Sequence, residues 1–167
     1  MDRIIYKDHY SIPLVVDLLD VSQKARIYTK IDLRSTYYLI KIAEEDEWKT
    51  TFRTWYGLYK WLVMPFGLSN APSAFQRLMN KIFTDLLDIC VVIYLDNILI
   101  YSDILKDHKQ QVKEVLCQLW AHRLYISPVK YIFHKEKIKF LGYILESEKI
   151  QMDLEKMCII KEWSIPC

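Results

Sequence analysis

The sequence predicts a domain of the α+β class, in which an antiparallel sheet is covered on one face by helices. Two long stretches carry apolar residues at helical spacing, whereas several short runs are rich in β-branched and aromatic residues. Strands also follow one another across short turns, which is typical of antiparallel hairpins. The predicted order is helix, strand, hairpin, helix, strand-turn-strand, helix and strand.

The composition fits a single folded domain. The chain has 167 residues, of which 52% are hydrophobic and 14% aromatic, enough for one apolar core. Its net charge of +2 does not by itself indicate a polyanionic partner, although the segment 106–149 carries nine Lys or Arg against five Asp or Glu. Four cysteines without a C-x-x-C pair favour an intracellular protein with reduced thiols. No secretion signal or membrane span is predicted.

The first third of the chain predicts one helix, one strand and one hairpin. A short amphipathic helix is expected over 13–25, followed by a strand over 27–33 that ends at Asp32. The aromatic-rich segment 48–64 is expected to form a hairpin around Tyr56 and Gly57.

The clearest helix is expected over 69–87. Ser69 or Asn70 is the candidate N-cap, and a continuous apolar stripe follows. Arg77 and Lys81 are spaced i,i+4 and lie together beside that stripe. They form either a solvated face or a contact with nucleic acid.

The segment CVVIYLDNILIYS places a carboxylate inside an apolar run. Two strands are expected, over 89–95 and 98–102, with Asp96 and Asn97 as a two-residue turn, because both residue types tolerate positive φ. Burying a charge without a partner is costly, so Asp96 is solvated at the turn, paired with a cation or bound to a metal ion. The residues alone leave these alternatives open.

The last third predicts a second long helix over 106–124 and a strand over 138–145, with another helix beginning at 153. Five apolar residues are expected on the buried face of the long helix: Val112, Val115, Leu116, Leu119 and Trp120. Gly142 lies within the strand pattern, which indicates a bulge or a close approach of another group to the backbone.

Six blocks of the chain carry a family resemblance: YSIPLVVDLLD, TKIDLRSTYYLIKI, KTTFRTWYGLYKWLVMPFGLSNAPSAFQRLMN, CVVIYLDNILIYS, FHKEKIKFLGYIL and MDLEKMCIIKEW. In this order they resemble the reverse transcriptase domain of long-terminal-repeat retrotransposons of the Ty3/gypsy class. The resemblance implies a polymerase palm over about 13–42 and 67–150, a fingers hairpin over about 43–66 and the start of a thumb over about 151–167. It implies an RNA-directed DNA polymerase that uses deoxynucleoside triphosphates and a template-primer of RNA or DNA.

The resemblance also assigns roles to particular residues. Polymerases of this family hold two Mg²⁺ ions with an aspartate on the first palm strand and an aspartate pair at a hairpin turn, and the corresponding places here are Asp32, Asp96 and Asn97. The resemblance implies a nucleotide pocket formed by Thr36, Tyr37, Phe66, Gly67 and Lys130. It implies template or primer contacts by Asn70, Arg77, Lys81, Phe140, Leu141, Gly142 and Tyr143.

Three departures from the family pattern predict weak or absent catalysis. Asn97 stands where the family has a second aspartate, so the site carries one fewer negative charge. Thr36 is β-branched where a small residue is usual, and the chain is expected to begin after the upstream finger strands and to stop where the thumb begins. Loss of one well-placed stabilising group commonly costs on the order of 10² to 10³ in rate. The alternatives are a palm that binds nucleic acid without catalysis, or the non-functional product of a decayed element.

Overall fold

The structure is a computed structural model that describes Asp8 and residues 10–153. Within these residues there are three α-helices: α1 (Val15–Ser22), α2 (Ala71–Ile82) and α3 (Leu105–Ala121). The same part of the chain contains the strands β1 (Ile27–Asp32), β2 (Phe52–Thr54), β3 (Gly57–Tyr59), β4 (Val91–Tyr94), β5 (Asn97–Ser102), β6 (Ile132–Lys135), β7 (Lys137–Phe140), β8 (Tyr143–Glu146) and β9 (Lys149–Met152). The helix predicted to begin at 153 lies outside the described residues.

Four strands form the main sheet, in the order β4-β5-β1-β6 with antiparallel neighbours. β1 and β5 pair along their whole length, from Ile27 opposite Ser102 to Asp32 opposite Asn97. The predicted aromatic hairpin is present as β2 and β3, and β7, β8 and β9 form a third, three-stranded sheet. This mixture of helices and antiparallel strands confirms the α+β prediction.

Both faces of the main sheet are buried. On one face, Phe75 of α2 and Val115 of α3 share a core cluster with residues of β1, β4 and β5. On the other face, Leu19 of α1 and Phe140 of β7 share a second cluster with the same strands. A strand covered on both faces needs apolar residues at successive positions, which explains the fully buried run Val91 to Ile93. The structure therefore adds a second covering layer to the single helical layer that the sequence predicted.

The segment 138–145 belongs to a hairpin and not to the predicted single strand. β7 and β8 are joined by Leu141 and Gly142, whose φ values are 49° and 85°. Positive φ at both central residues is the requirement of the commonest tight hairpin turn, and glycine meets it without steric strain. A turn therefore explains Gly142, and the predicted bulge is absent from the β7-β8 pairing.

Three other details differ from the predictions. α2 ends at Ile82, five residues before the predicted end, and Thr84 donates its hydroxyl to the carbonyls of the preceding turn. The two-residue turn between β4 and β5 is Leu95-Asp96, because Tyr94 already pairs with Asn97. Trp120 is 80% exposed, since it lies about 100° around α3 from the buried Leu119.

Candidate functional site

Two aspartates lie at the same edge of the main sheet. Asp32 is the last residue of β1, and the next residue, Leu33, donates its backbone N–H to the carbonyl of Asp96 over 2.9 Å. Asp96 is the second residue of the β4-β5 turn, and Asn97 is paired directly opposite Asp32. Residues directly opposite one another in an antiparallel pair point to the same face, so the side chains of Asp32 and Asn97 share a face.

Asp32 is a nearly buried carboxylate with an incomplete set of partners. The residue is 9% exposed, and its Oδ1 accepts no hydrogen bond from the described residues. Lys30 Nζ lies 3.3 Å from that oxygen and supplies a nearby positive charge. A buried carboxylate oxygen normally accepts hydrogen bonds or binds a cation. Oδ1 therefore has Lys30 as its charge partner and a hydrogen-bonding capacity that the described residues leave unused.

Asn97 faces Asp96 through its amide. Its Nδ2 donates to Asp96 Oδ1 over 3.2 Å, so the side chain that replaces the family's second aspartate acts here as a hydrogen-bond donor. The site consequently offers two carboxylates and one amide oxygen. Oxygen ligands of this kind fit Mg²⁺, which is a hard cation, but the charge is one unit lower than that of three carboxylates.

The turn that carries Asp96 has a strained backbone. Leu95 has φ 54°, in the left-handed region, which costs a residue with a side chain roughly 1–2 kcal/mol. Its N–H donates to Oε1 of Gln76 on α2 over 2.7 Å. Sequence reasoning missed Gln76, although the signal was available, because this polar residue lies between Phe75 and Met79 on the predicted apolar stripe.

Tyr37 packs against two other aromatic side chains. Tyr37 lies in a 3₁₀ helix, Thr36–Leu39, and its ring contacts Phe66 at 5.0 Å and Phe75 at 5.6 Å between centroids. Burial raises the pKa of Tyr37, and the nearby Asp96 carboxylate and the Tyr94 side chain raise it further. Tyr37 is therefore close enough to Asp96 to sense its charge.

The other candidate nucleotide-pocket residues flank Tyr37 or lie near Asp32. Thr36 is buried beside Tyr37, whereas Phe66 is exposed and Gly67 has φ 94°. Lys130 is exposed on a segment tied to Asp32: Lys130 donates its N–H to the Ser127 carbonyl, and Ser127 donates its own to the Asp32 carbonyl over 2.8 Å. Ring contact links Phe66 to Tyr37, and backbone hydrogen bonds link the segment of Lys130 to Asp32.

The candidate template and primer residues divide into two groups. Around α2, Asn70 accepts a hydrogen bond from the Asp8 backbone at 3.0 Å, Arg77 forms an ion pair with Asp8 and stacks on Tyr10, and Lys81 is exposed. Arg77 is therefore already paired with a carboxylate, unlike the contact that the resemblance implies.

The second group is the β7-β8 turn, formed by Phe140, Leu141, Gly142 and Tyr143. Phe140 is fully buried in the core, so its ring is not available to a primer strand. Leu141, Gly142 and Tyr143 are half-buried, and the turn backbone is the part that a ligand can reach. The primer contact that the resemblance implies for this segment stays a prediction, made through the backbone of the turn.

The protein has a palm-like α+β fold with carboxylates at the end of adjacent antiparallel strands. Residues 1–145 match the family model described as reverse transcriptase (RNA-dependent DNA polymerase). The chain belongs to the reverse transcriptase family.

The individual proteins to which this chain is similar include retrotransposon polyproteins. The chain is 36% identical over 166 residues to the Tf2-7 and Tf2-3 transposon polyproteins of Schizosaccharomyces pombe, covering 99% of this chain and 12% of each polyprotein. Its fold is similar to a foamy viral protease-reverse transcriptase in complex with an RNA/DNA hybrid, with a TM-score of 0.85 and 17% identity, over 96% of this chain and 22% of that one. No helix among the described residues is long and apolar enough to cross a membrane.

Proposed function

We propose that this chain is the palm portion of an RNA-directed DNA polymerase, which joins deoxynucleoside triphosphates to a primer annealed to RNA or DNA. The observation that supports this most strongly is the buried Asp32 carboxylate, whose Oδ1 accepts no hydrogen bond from the described residues, at the sheet edge that also carries Asp96. The similar foamy viral enzyme was captured with an RNA/DNA hybrid, which supports a template-primer as the ligand.

In this proposal Asp32 and Asp96 hold Mg²⁺, with the amide oxygen of Asn97 as a weaker third ligand. When bound, the ions stabilise the attacking primer oxygen and the leaving pyrophosphate. The strands fix both carboxylates, because the backbone bond from Leu33 to Asp96 ties β1 to the turn. Tyr37 lies beside Asp96 and limits the space next to the sugar of an incoming nucleotide.

The other residues take the roles that the family resemblance implies. Residues 13–42 and 67–150 form the palm and residues 43–66 the fingers hairpin. Thr36, Phe66, Gly67 and Lys130 line the nucleotide pocket. Template and primer contacts are assigned to Asn70, Arg77 and Lys81 and to the backbone of the β7-β8 turn.

Asn97 makes this activity weak. An amide keeps one oxygen but no charge, and here its nitrogen donates to Asp96. The site therefore binds a divalent cation less strongly than one with a second aspartate. A loss on the order of 10² to 10³ in rate is expected from removing one such group.

Primer extension on a homopolymer RNA template tests this proposal. The chain is compared with Asn97→Asp in Mg²⁺ and in Mn²⁺, and Asn97→Asp is expected to raise incorporation about 100-fold or more. Gln110→Glu is the matched control, because it adds the same charge on the exposed surface of α3 and is expected to change nothing. Incorporation that survives Asp96→Asn in the Asn97→Asp background would contradict the assignment.

A second candidate function is nucleic-acid binding without catalysis. It is favoured by the bond from Asn97 to Asp96, which occupies a carboxylate oxygen that a cation needs. Binding of an RNA/DNA hybrid that weakens steeply with salt, and less steeply in Lys81→Ala, would support it when no variant incorporates nucleotide.

A further inference from the structure

Gln76 is a polar side chain at a core position of α2. The residue is 0% exposed and lies among apolar neighbours of the α2 stripe, including Phe75 and Met79. An amide in such a place is costly unless its hydrogen-bonding groups are paired. Filling space alone does not explain a glutamine at this position, whereas its hydrogen-bond partners do.

The amide of Gln76 bonds the end of β4, the turn that follows it and Asn80 on its own helix. Nε2 donates to the carbonyl of Ile93 on β4 over 3.1 Å and to Asn80 Oδ1 over 2.8 Å, while Oε1 accepts the Leu95 N–H over 2.7 Å. An amide nitrogen only donates and an amide oxygen only accepts, so these three bonds fix the orientation of the side chain. Asn80 is itself oriented, because its Nδ2 donates to the Tyr10 hydroxyl over 2.7 Å.

The hydrogen bond from the Leu95 N–H to Gln76 is important because Leu95 has an unusual backbone conformation. The β4-β5 ladder closes at Tyr94 and Asn97, so Leu95 and Asp96 alone form the turn. Leu95 has φ 54°, which a residue with a side chain adopts only when its surroundings enforce it. A change of φ at Leu95 would redirect the next residue, which is Asp96. The amide of Gln76 is the side-chain group that meets the Leu95 N–H.

We propose that Gln76 is a positioning residue, whose buried amide holds Leu95 in the left-handed conformation and so keeps the Asp96 carboxylate at the sheet edge beside Asp32. Gln76 acts through the turn and touches neither substrate nor cation. The inference rests on the proposed function, since it concerns the cation-binding competence of Asp96.

Two readouts test this role, and neither needs polymerase activity: amide hydrogen exchange at Leu95 followed by NMR, and Mn²⁺ affinity followed by electron paramagnetic resonance. Gln76→Met keeps the side-chain length and removes all three bonds. Exchange at Leu95 is expected to rise at least tenfold and the Mn²⁺ dissociation constant about tenfold. Gln118→Met is the matched control: it makes the same change on α3, at a glutamine whose Oε1 accepts no bond from the described residues, and neither readout is expected to move.

Rescue by glycine separates positioning from general packing. Leu95→Gly removes the steric penalty of positive φ, so adding Gln76→Met in that background is expected to change Mn²⁺ affinity less than threefold. If Gln76→Met does not fold, Asn80→Ala serves as the second variant, because it frees the amide from its orienting partner at a half-buried position. A threefold rise in Leu95 exchange is expected there.

The outcomes distinguish the positioning role of Gln76 from the proposed cation site at Asp96. Unchanged Leu95 exchange in Gln76→Met or in Asn80→Ala overturns the positioning role, and so does an Mn²⁺ loss of equal size with and without Leu95→Gly. Asp96→Asn tests the proposed function separately. If Mn²⁺ binds Asp96→Asn as tightly as the unaltered chain, the cation site is wrong, whatever the exchange at Leu95 shows about the turn.

Discussion

His108 makes the stability of this fold depend on pH. Its ring is fully buried, with Nε2 2.7 Å from Thr29 Oγ1 of β1 and Nδ1 2.7 Å from Ser102 Oγ of β5. Ser102 donates its proton to Gln111, and Thr29 accepts the His134 N–H, so Nδ1 donates to Ser102 and Nε2 accepts from Thr29. A second ring proton on Nε2 would break the bond from Thr29 and place a charge in the core.

The pKa of His108 falls accordingly, from its ordinary value of 6.5 to about 4, mainly because of burial and further because of His134. The folded state then resists a proton that the unfolded chain accepts between these two pH values. Stability is therefore complete above pH 6.5 and is lost as the pH falls toward 4. One pKa unit corresponds to about 1.4 kcal/mol, so the loss amounts to about 2 kcal/mol at pH 5 and about 3 kcal/mol when complete.

Urea unfolding between pH 7.5 and pH 4.5 measures this loss. His108→Gln keeps groups that can bond Thr29 and Ser102 but cannot be protonated, so its stability is expected to fall about 2 kcal/mol less than that of the unaltered chain between pH 7.5 and pH 5. His122→Gln, an exposed residue that caps the end of α3, is the control and should follow the unaltered chain. Parallel pH profiles for His108→Gln and the unaltered chain would refute the reasoning.

Three further changes test the fold and the site by urea unfolding. Asn97→Asp replaces the donor that lies 3.2 Å from Asp96 Oδ1 with a like charge, so without divalent cations the free energy of unfolding should fall by about 1 kcal/mol. Mg²⁺ should restore that stability, and a loss that Mg²⁺ leaves unchanged would contradict this expectation. Gly142→Ala forces a side chain into φ 85° and should cost about 1 kcal/mol, an effect disproved by equal midpoints. Phe140→Ala should cost about 3–5 kcal/mol, against less than about 0.5 kcal/mol for the exposed Tyr131→Ala; similar costs at both positions would mean that Phe140 is not core.

Residue composition predicted the buried strands β1, β4 and β5 and the exposed aromatic hairpin β2-β3, and it missed β6 and β9. β4 and β5 were predicted from their apolar runs, and β1 from its β-branched and aromatic residues. β6 and β9 were not, since most of their residues are exposed and a one-sided edge strand carries little apolar signal. The β7-β8 hairpin was merged into one strand because Leu141 is a poor turn residue, and only the pairing of Phe140 with Tyr143 reveals the turn.

The candidate site was predictable in composition but not in contacts. The resemblance identified Asp32 and Asp96, and the sheet register brings them to one edge. The sequence did not indicate the direction of the Asn97 amide, nor that Gln76 reaches across from α2 to Leu95. The Gln76 contact depends on how α2 packs against a turn distant in sequence, and the Asn97 contact depends on the orientation of one side chain at that turn. Residue spacing along one element encodes neither.

The fold and the chemistry of this palm are maintained by different residues. Ile31 and Ile98, at the ends of the paired strands, are fully buried and stabilise the sheet without any help from the charges next to them. Two aspartates at the turn would repel each other in the absence of a cation, whereas Asn97 donates to Asp96. The amide therefore favours the cation-free fold by the same change that weakens cation binding. An intact palm is thus what the apolar strands produce whether or not the site retains its charge.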